Sequence, residues 1–207
     1  MAPSNQENTV YDDTICNNVT VDGCTFVDVP RGIGTHIAVG GLYPSNMKFT
    51  NNTFKNITYE AIKAYHYKNV IITGNTIDKA GCGIKSYLYA EPSDNDNDEE
   101  GNSNYLSALK NTATEGVPYN ANVLISQNTV RNITDSKEGF GIHIAGNASR
   151  PIQGVTVTNN TVSATKLAGI YAKYANRITI SDNTVANSGE CNILLTSAGQ
   201  SVAVSYT

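Results

Sequence analysis

Asn69-Val70-Ile71-Ile72-Thr73-Gly74-Asn75-Thr76-Ile77 is the stretch that decides the fold. Val70 and Ile72 stand two residues apart, the period of a strand, and the phase then slips at Gly74-Asn75 before Ile77 resumes the apolar side. The same frame recurs as NVTVDGCTF from Asn18, NMKFTNNTF from Asn46, NVLISQNTV from Asn122, GVTVTNNTV from Gly154 and RITISDNTV from Arg177. A shortened copy, SVAVSYT, starts at Ser201. Helix is the weaker alternative: the period is two rather than 3.6, Asn, Thr and Val abound, and glycines interrupt the runs.

From Asn52 to Asn75, and again from Asn160 to Asn183, the interval is 23 residues (75 − 52 and 183 − 160), enough for one coil of a solenoid. The expected fold is therefore all-β: a right-handed parallel β-helix of about six coils of roughly 23 residues, forming a single domain over residues 1–207. Asn52, Asn75, Asn128, Asn160 and Asn183 fall at the same bend of successive coils. Stacked about 4.8 Å apart, their side-chain amides can chain along the axis. Cys24 holds that place in the first copy, so the ladder is expected to begin at Asn52. A second strand per coil carries Ile33, Ile62, Ile84, Ile142, Ile170 and Ile193 in one inward column, expected to be buried.

One segment, Ala90 to Asn120, has no place in the repeat and reads as a loop insertion between the third and fourth coils. Ile71 and Leu124 are apolar on the outer wall beside it, which suggests that the loop folds back over them. Its acidic run holds Asp94, Asp96 and Asp98, the alternating oxygen ligands that calcium takes. Glu99 stands where an EF-hand-like loop needs glycine, so a solvated acidic loop is the better reading, with calcium as the one cofactor to test and no metal ligand assigned.

Fourteen Lys and Arg against eighteen Asp and Glu give a net charge of −4, with no basic excess to hold a nucleic acid and no polybasic patch for a membrane surface. No apolar run approaches the roughly 20 residues of a membrane span, and Met1 to Gln6 lacks the layout of a leader peptide. Cys16, Cys24, Cys82 and Cys191 form no C-x-x-C pair and read as buried free thiols. The sequons beginning at Asn18, Asn51, Asn56, Asn132, Asn147 and Asn159 follow almost automatically from an Asn- and Thr-rich repeat.

With the repeat established, the chain resembles the pectate-lyase-like superfamily of right-handed β-helices, especially its carbohydrate-binding and sugar-hydrolase modules, which include uronan lyases and epimerases. The resemblance runs from Asn18 onward and rests on the repeat. It implies binding of, or action on, an acidic polysaccharide along an outer wall, in some members with calcium. The D-P-H-[DE], W-x-D-H and paired N-T-D and D-D signatures of the catalytic subfamilies are missing, so no catalytic residue is carried over.

Outward from the isoleucine column lie two columns expected to be exposed. The first holds Gly34, Lys63, Lys85, His143, Tyr171 and Leu194; the second holds His36, Tyr65, Tyr87, Ala145, Lys173 and Thr196. Aromatic faces suit sugar C–H groups and lysines suit uronate carboxylates. Lys63 and Lys85 sit on neighbouring coils, where like charges repel by roughly 1 kcal/mol in water and more at a drier surface, lowering a lysine pKa. That points to β-elimination or C5 epimerisation of a uronan, with Lys63 or Lys85 as base or carboxylate neutraliser and Tyr65, Tyr87 or His143 as proton donor; His36, Tyr171 and Lys173 would contact substrate. No acid is expected on this wall, and Glu60 is read as an ion-pair partner of Arg31 at the coil corner. The competing reading is a structural or adhesive spacer. Since no cap is visible on the first or last coil, we expect a piece of a longer secreted or cell-surface protein, or end-to-end pairing with another copy.

Overall fold

The computed structural model describes residues 16–34, 44–65, 67–87, 119–146, 151–196 and 202–204. Across them the chain winds through six coils and opens a seventh. The first coil contains β1 (Thr20–Asp22), β2 (Thr25–Val27) and β3 (Ile33–Gly34); the second β4 (Ser45–Thr50) and β5 (Thr53–Tyr65); the third β6 (Lys68–Thr73) and β7 (Thr76–Tyr87). The fourth contains β8 (Tyr119–Ser126), β9 (Thr129–Ile133) and β10 (Ile142–Ala145), and the fifth β11 (Ile152–Thr158), β12 (Thr161–Thr165) and β13 (Ile170–Lys173). The sixth has β14 (Ala175–Ser181), β15 (Thr184–Ser188) and β16 (Ile193–Thr196), and β17 (Val202–Val204) begins another.

All pairings are parallel, each strand lying beside its counterpart in the next coil. One wall runs β1-β4-β6-β8-β11-β14-β17. A second takes β2, the first halves of β5 and β7, then β9, β12 and β15; a third takes β3, the second halves of β5 and β7, then β10, β13 and β16. Because β5 and β7 pass the corner unbroken, the second and third walls form one continuous sheet. This is the right-handed parallel β-helix expected from the repeat.

The bends explain the composition. Each coil carries three residues of positive φ spaced by five: Asn18, Gly23 and Asp28 in the first, Asn46, Asn51 and Asn56 in the second, and Asn69, Gly74 and Lys79 in the third. The later coils repeat this with Asn122, Gln127 and Asn132, then Gly154, Asn159 and Ala164, then Arg177, Asp182 and Asn187. Asparagine tolerates the left-handed conformation better than other side chains that carry a Cβ, which is why it recurs at these points. The first of the three positions builds an exposed amide ladder: Asn122 donates to Asn69 (2.9 Å), Asn69 to Asn46 (3.1 Å) and Asn46 to Asn18 (3.0 Å). Sequence reading had not singled out this ladder.

The expected inner ladder is present and begins at Asn52. Asn52, Asn75, Asn128 and Asn160 each donate from Nδ2 to Oδ1 of the next asparagine, ending at Asn183, at 2.9–3.0 Å. The same Oδ1 atoms accept the backbone N–H of the preceding ladder asparagine, and the second Nδ2 hydrogen reaches a carbonyl such as Phe49 O or Ile72 O. Asn52, Asn75, Asn128 and Asn160 are buried with their hydrogen bonds satisfied, the condition under which a polar group belongs in a core.

Ile62, Ile84, Ile142 and Ile170 stack with no exposed surface. Ile193 departs from the expectation of full burial and, with Ile33, is only half-buried; among the described residues each has a paired strand on one side alone. The thiols are all free, but only Cys82 is buried; Cys191 is half-buried and Cys16 and Cys24 are exposed, since the first coil has little over it among the described residues. The expected 90–120 insertion gives up Tyr119 and Asn120 to β8, which pairs with β11 there; the rest of it, with its acidic run and the cover expected over Ile71 and Leu124, lies outside the described residues. Ile71 and Leu124, with Asn69 and Asn122, line a shallow groove of about 390 Å³ on the first wall.

Candidate functional site

The first outward column arrives in the expected register. Lys63 on β5 pairs with Lys85 on β7, Lys85 with His143 on β10, His143 with Tyr171 on β13 and Tyr171 with Leu194 on β16. The neighbouring row runs Tyr65, Tyr87, Ala145, Lys173 and Thr196. His36 lies outside the described residues.

The two rows are not, however, uniformly exposed. Tyr65 is 1% exposed, His143 6% and Lys85 9%, whereas Lys63, Tyr87, Tyr171 and Lys173 are half-buried. Part of the cover is a structure the repeat had not announced. The fourth coil takes 32 residues from Asn128 to Asn160, against 23 from Asn52 to Asn75 and from Asn160 to Asn183, so Ala90–Asn120 is not the sole departure. Residues 134–140 form a strap between β9 and β10, and its Phe140 lies on the outer wall, 4.8 Å from the His143 ring and 4.5 Å from Tyr171. His143 and Tyr171 stack at 4.9 Å. With Cys82, Ala168, Leu167, Cys191 and Leu194 these rings make a small second core outside the coil.

The strap also supplies an acid to a wall expected to have none. Glu138 Oε2 accepts a hydrogen bond from Lys85 Nζ at 2.9 Å and lies 3.2 Å from His143 Nδ1. The imidazole and the ammonium hold the Glu138 carboxyl down at about 2, against the opposing pull of its own partial burial. That contact with Glu138 is the polar contact of the His143 ring among the described residues, and burial pushes the His143 pKa down against the pull of the carboxylate. Sequence reading missed Glu138, though a signal existed: Asn128 to Ile142 spans 14 residues, where the matching intervals in other coils are nine or ten.

Lys63 makes no ion pair among the described residues. Its Nζ stands 5.3 Å from the centre of the Tyr65 ring and 5.7 Å from that of Tyr87. Lys85 Nζ lies 4.6 Å from the centre of the same Tyr87 ring, so two ammonium groups stand near one aromatic ring. The Lys63 pKa is lowered, the direction expected, but burial is the main cause and the repulsion from Lys85 the smallest of those that act on it, after Glu60 and Arg31. Glu60 and Arg31 form the expected corner ion pair at 2.8 Å. Tyr171 hydroxyl is 2.9 Å from Thr196 Oγ1, and Lys173 Nζ turns over its neighbour Tyr174 at 5.1 Å, away from the lysine pair. The wall thus unites Lys63, Lys85, Tyr65, Tyr87 and His143 and leaves Lys173 at its margin.

A protein family described as the right handed beta helix region matches residues 4–185 and 117–207, and the chain belongs to it. No curated protein and no solved structure matches the chain.

Proposed function

We propose that the protein binds an acidic polysaccharide along the third wall and acts on it as a uronan lyase or C5-epimerase. The observation that supports this most is the gathering of Lys63 and Lys85 around one Tyr87 ring, with Nζ 5.7 and 4.6 Å from its centre, which puts two cations and an aromatic group together on the wall. Removal of the C5 proton of a uronate requires neutralisation of its carboxylate and a base. Lys85 is the neutralising group in this reading. Lys63, half-buried and with its pKa lowered, is the base. Tyr87 is the proton donor, since Tyr65 and His143 are too enclosed to reach a polymer lying on the wall.

The test is incubation with pectate, alginate and glycosaminoglycan fragments, with and without calcium, following the ultraviolet absorbance of a 4,5-unsaturated product and solvent deuterium at C5. The expected result is turnover with one polyuronate, lowered roughly 10²- to 10⁴-fold in Lys63→Ala. No turnover with any of them would overturn the catalytic assignment. A non-catalytic spacer is the second reading, favoured by the Lys85–Glu138 ion pair, which satisfies a buried lysine without any ligand. Absence of salt-sensitive binding to every acidic glycan would decide for it.

A further inference from the structure

The strap between β9 and β10 has no counterpart in the other coils, and its end is built with some care. Asp135 Oδ1 accepts the backbone N–H groups of Lys137 (2.7 Å) and Glu138 (2.8 Å), tying the turn to itself. Coil-to-coil hydrogen bonding stops at Asp135, whose N–H reaches Gly81 O, and resumes at Gly139, whose carbonyl takes the N–H of Leu167. Gly139 is packed too tightly for any side chain: a Cβ there would stand 2.1 Å from Asp135 O. Ser136, Lys137 and Glu138 are exposed between these two fixed points. The Glu138 side chain alone reaches back over the wall, 48% exposed, to place its carboxylate on Lys85 and beside His143.

We infer that Glu138 is a built-in stand-in for the ligand's carboxylate, an internal anion that occupies Lys85 and must be displaced before a uronate can bind there. This rests on the polysaccharide reading above and adds a regulation to it. Three features carry the inference. The group in place has the same chemistry as the ligand proposed for the site, a carboxylate on an ammonium. It is held on the side exposed to water, so it leaves by side-chain rotation, without any coil being unstacked. And its departure leaves the Lys85 ammonium and the His143 Nδ1 edge without the carboxylate that both face, a gap that an incoming carboxylate would fill. Ligand affinity is then reduced by the fraction of molecules in which Glu138 is in place: occupancy in nine of ten weakens binding roughly ten-fold.

The probe is sodium glucuronate, a single uronate with no polymer contacts, titrated calorimetrically into the full chain and into Glu138→Gln. The expected result is binding roughly ten-fold tighter in the variant, with the gain lost in Glu138→Gln combined with Lys85→Met. Equal or weaker binding in Glu138→Gln, or binding to neither form, overturns the inference. A second measurement needs no variant. In the wild-type chain at pH 7, where glucuronate is ionised, the ¹³C resonance of the Glu138 side-chain carboxyl should move from its ion-paired position to that of a solvated carboxylate at saturating glucuronate. An unmoved resonance at saturation overturns it even if the variants fail to fold. The two readings separate cleanly: displacement of Glu138 by glucuronate with no binding of any polyuronate leaves the stand-in and removes the polysaccharide function. Polyuronate turnover without displacement does the reverse.

Discussion

His143 shows how one residue's surroundings decide its charge. Enclosed by Phe140 and Tyr171, its imidazole pays the desolvation penalty of any positive charge, and Lys85 and Lys173 oppose protonation further; only Glu138 favours it. Its folded pKa therefore lies below the ordinary 6.5. Glu138 is depressed from 4.5 to about 2. In both cases the unfolded chain takes up a proton before the folded one as pH falls, so stability rises with pH through the acid range. The expected outcome is a first loss of stability as the pH drops below about 6.5, from His143, and a second between about 4.5 and 2, from Glu138. Urea midpoints measured from pH 7 down to pH 3 check this; the first step should shrink in His143→Gln, and a flat profile would contradict it.

At the scale of the strand, β10 is where the two sides of the wall meet. Its Ile142 is fully buried between Ile84 and Ile170, while its His143, one residue on, lies in the small outer core. Ile142→Ala leaves a cavity that the neighbouring coils cannot close, because their spacing is set by backbone hydrogen bonds. We expect a loss of about 2–5 kcal/mol, read from denaturant midpoints. The equivalent change at Ile193, which is only half-buried, should be milder. Strands such as β6 and β10 were legible in the sequence because stacking forces the same inward residue at each pass, so Val70 predicts Val123 and Ile84 predicts Ile142. The strap was not, because Glu138 has no equivalent in other coils to reveal its place. The burial of Lys85 and His143 was lost for the same reason: alternation distinguishes inside from outside, but cannot show that the outside is covered again.

For the molecule as a whole, each coil is held by the coils before and after it, and stability is shared between neighbours. The third to fifth coils, with described strands on both sides, should exchange their backbone amides slowest; the first, with short strands and half-exposed Val21, Phe26 and Val29, should exchange fastest. Hydrogen exchange resolved by strand checks this, and uniform protection from β1 to β16 would speak against it. The three left-handed positions set five apart in every coil have a wider consequence. They act as a ruler that measures each turn independently of what hangs between the walls, which is how a gap of 53 residues between Asn75 and Asn128 leaves the stack in register. Growth of such a chain by duplication, one turn at a time, would lengthen its face by about 4.8 Å per copy without rotating any residue off its wall. The length of the surface and the chemistry written on it can therefore be varied separately.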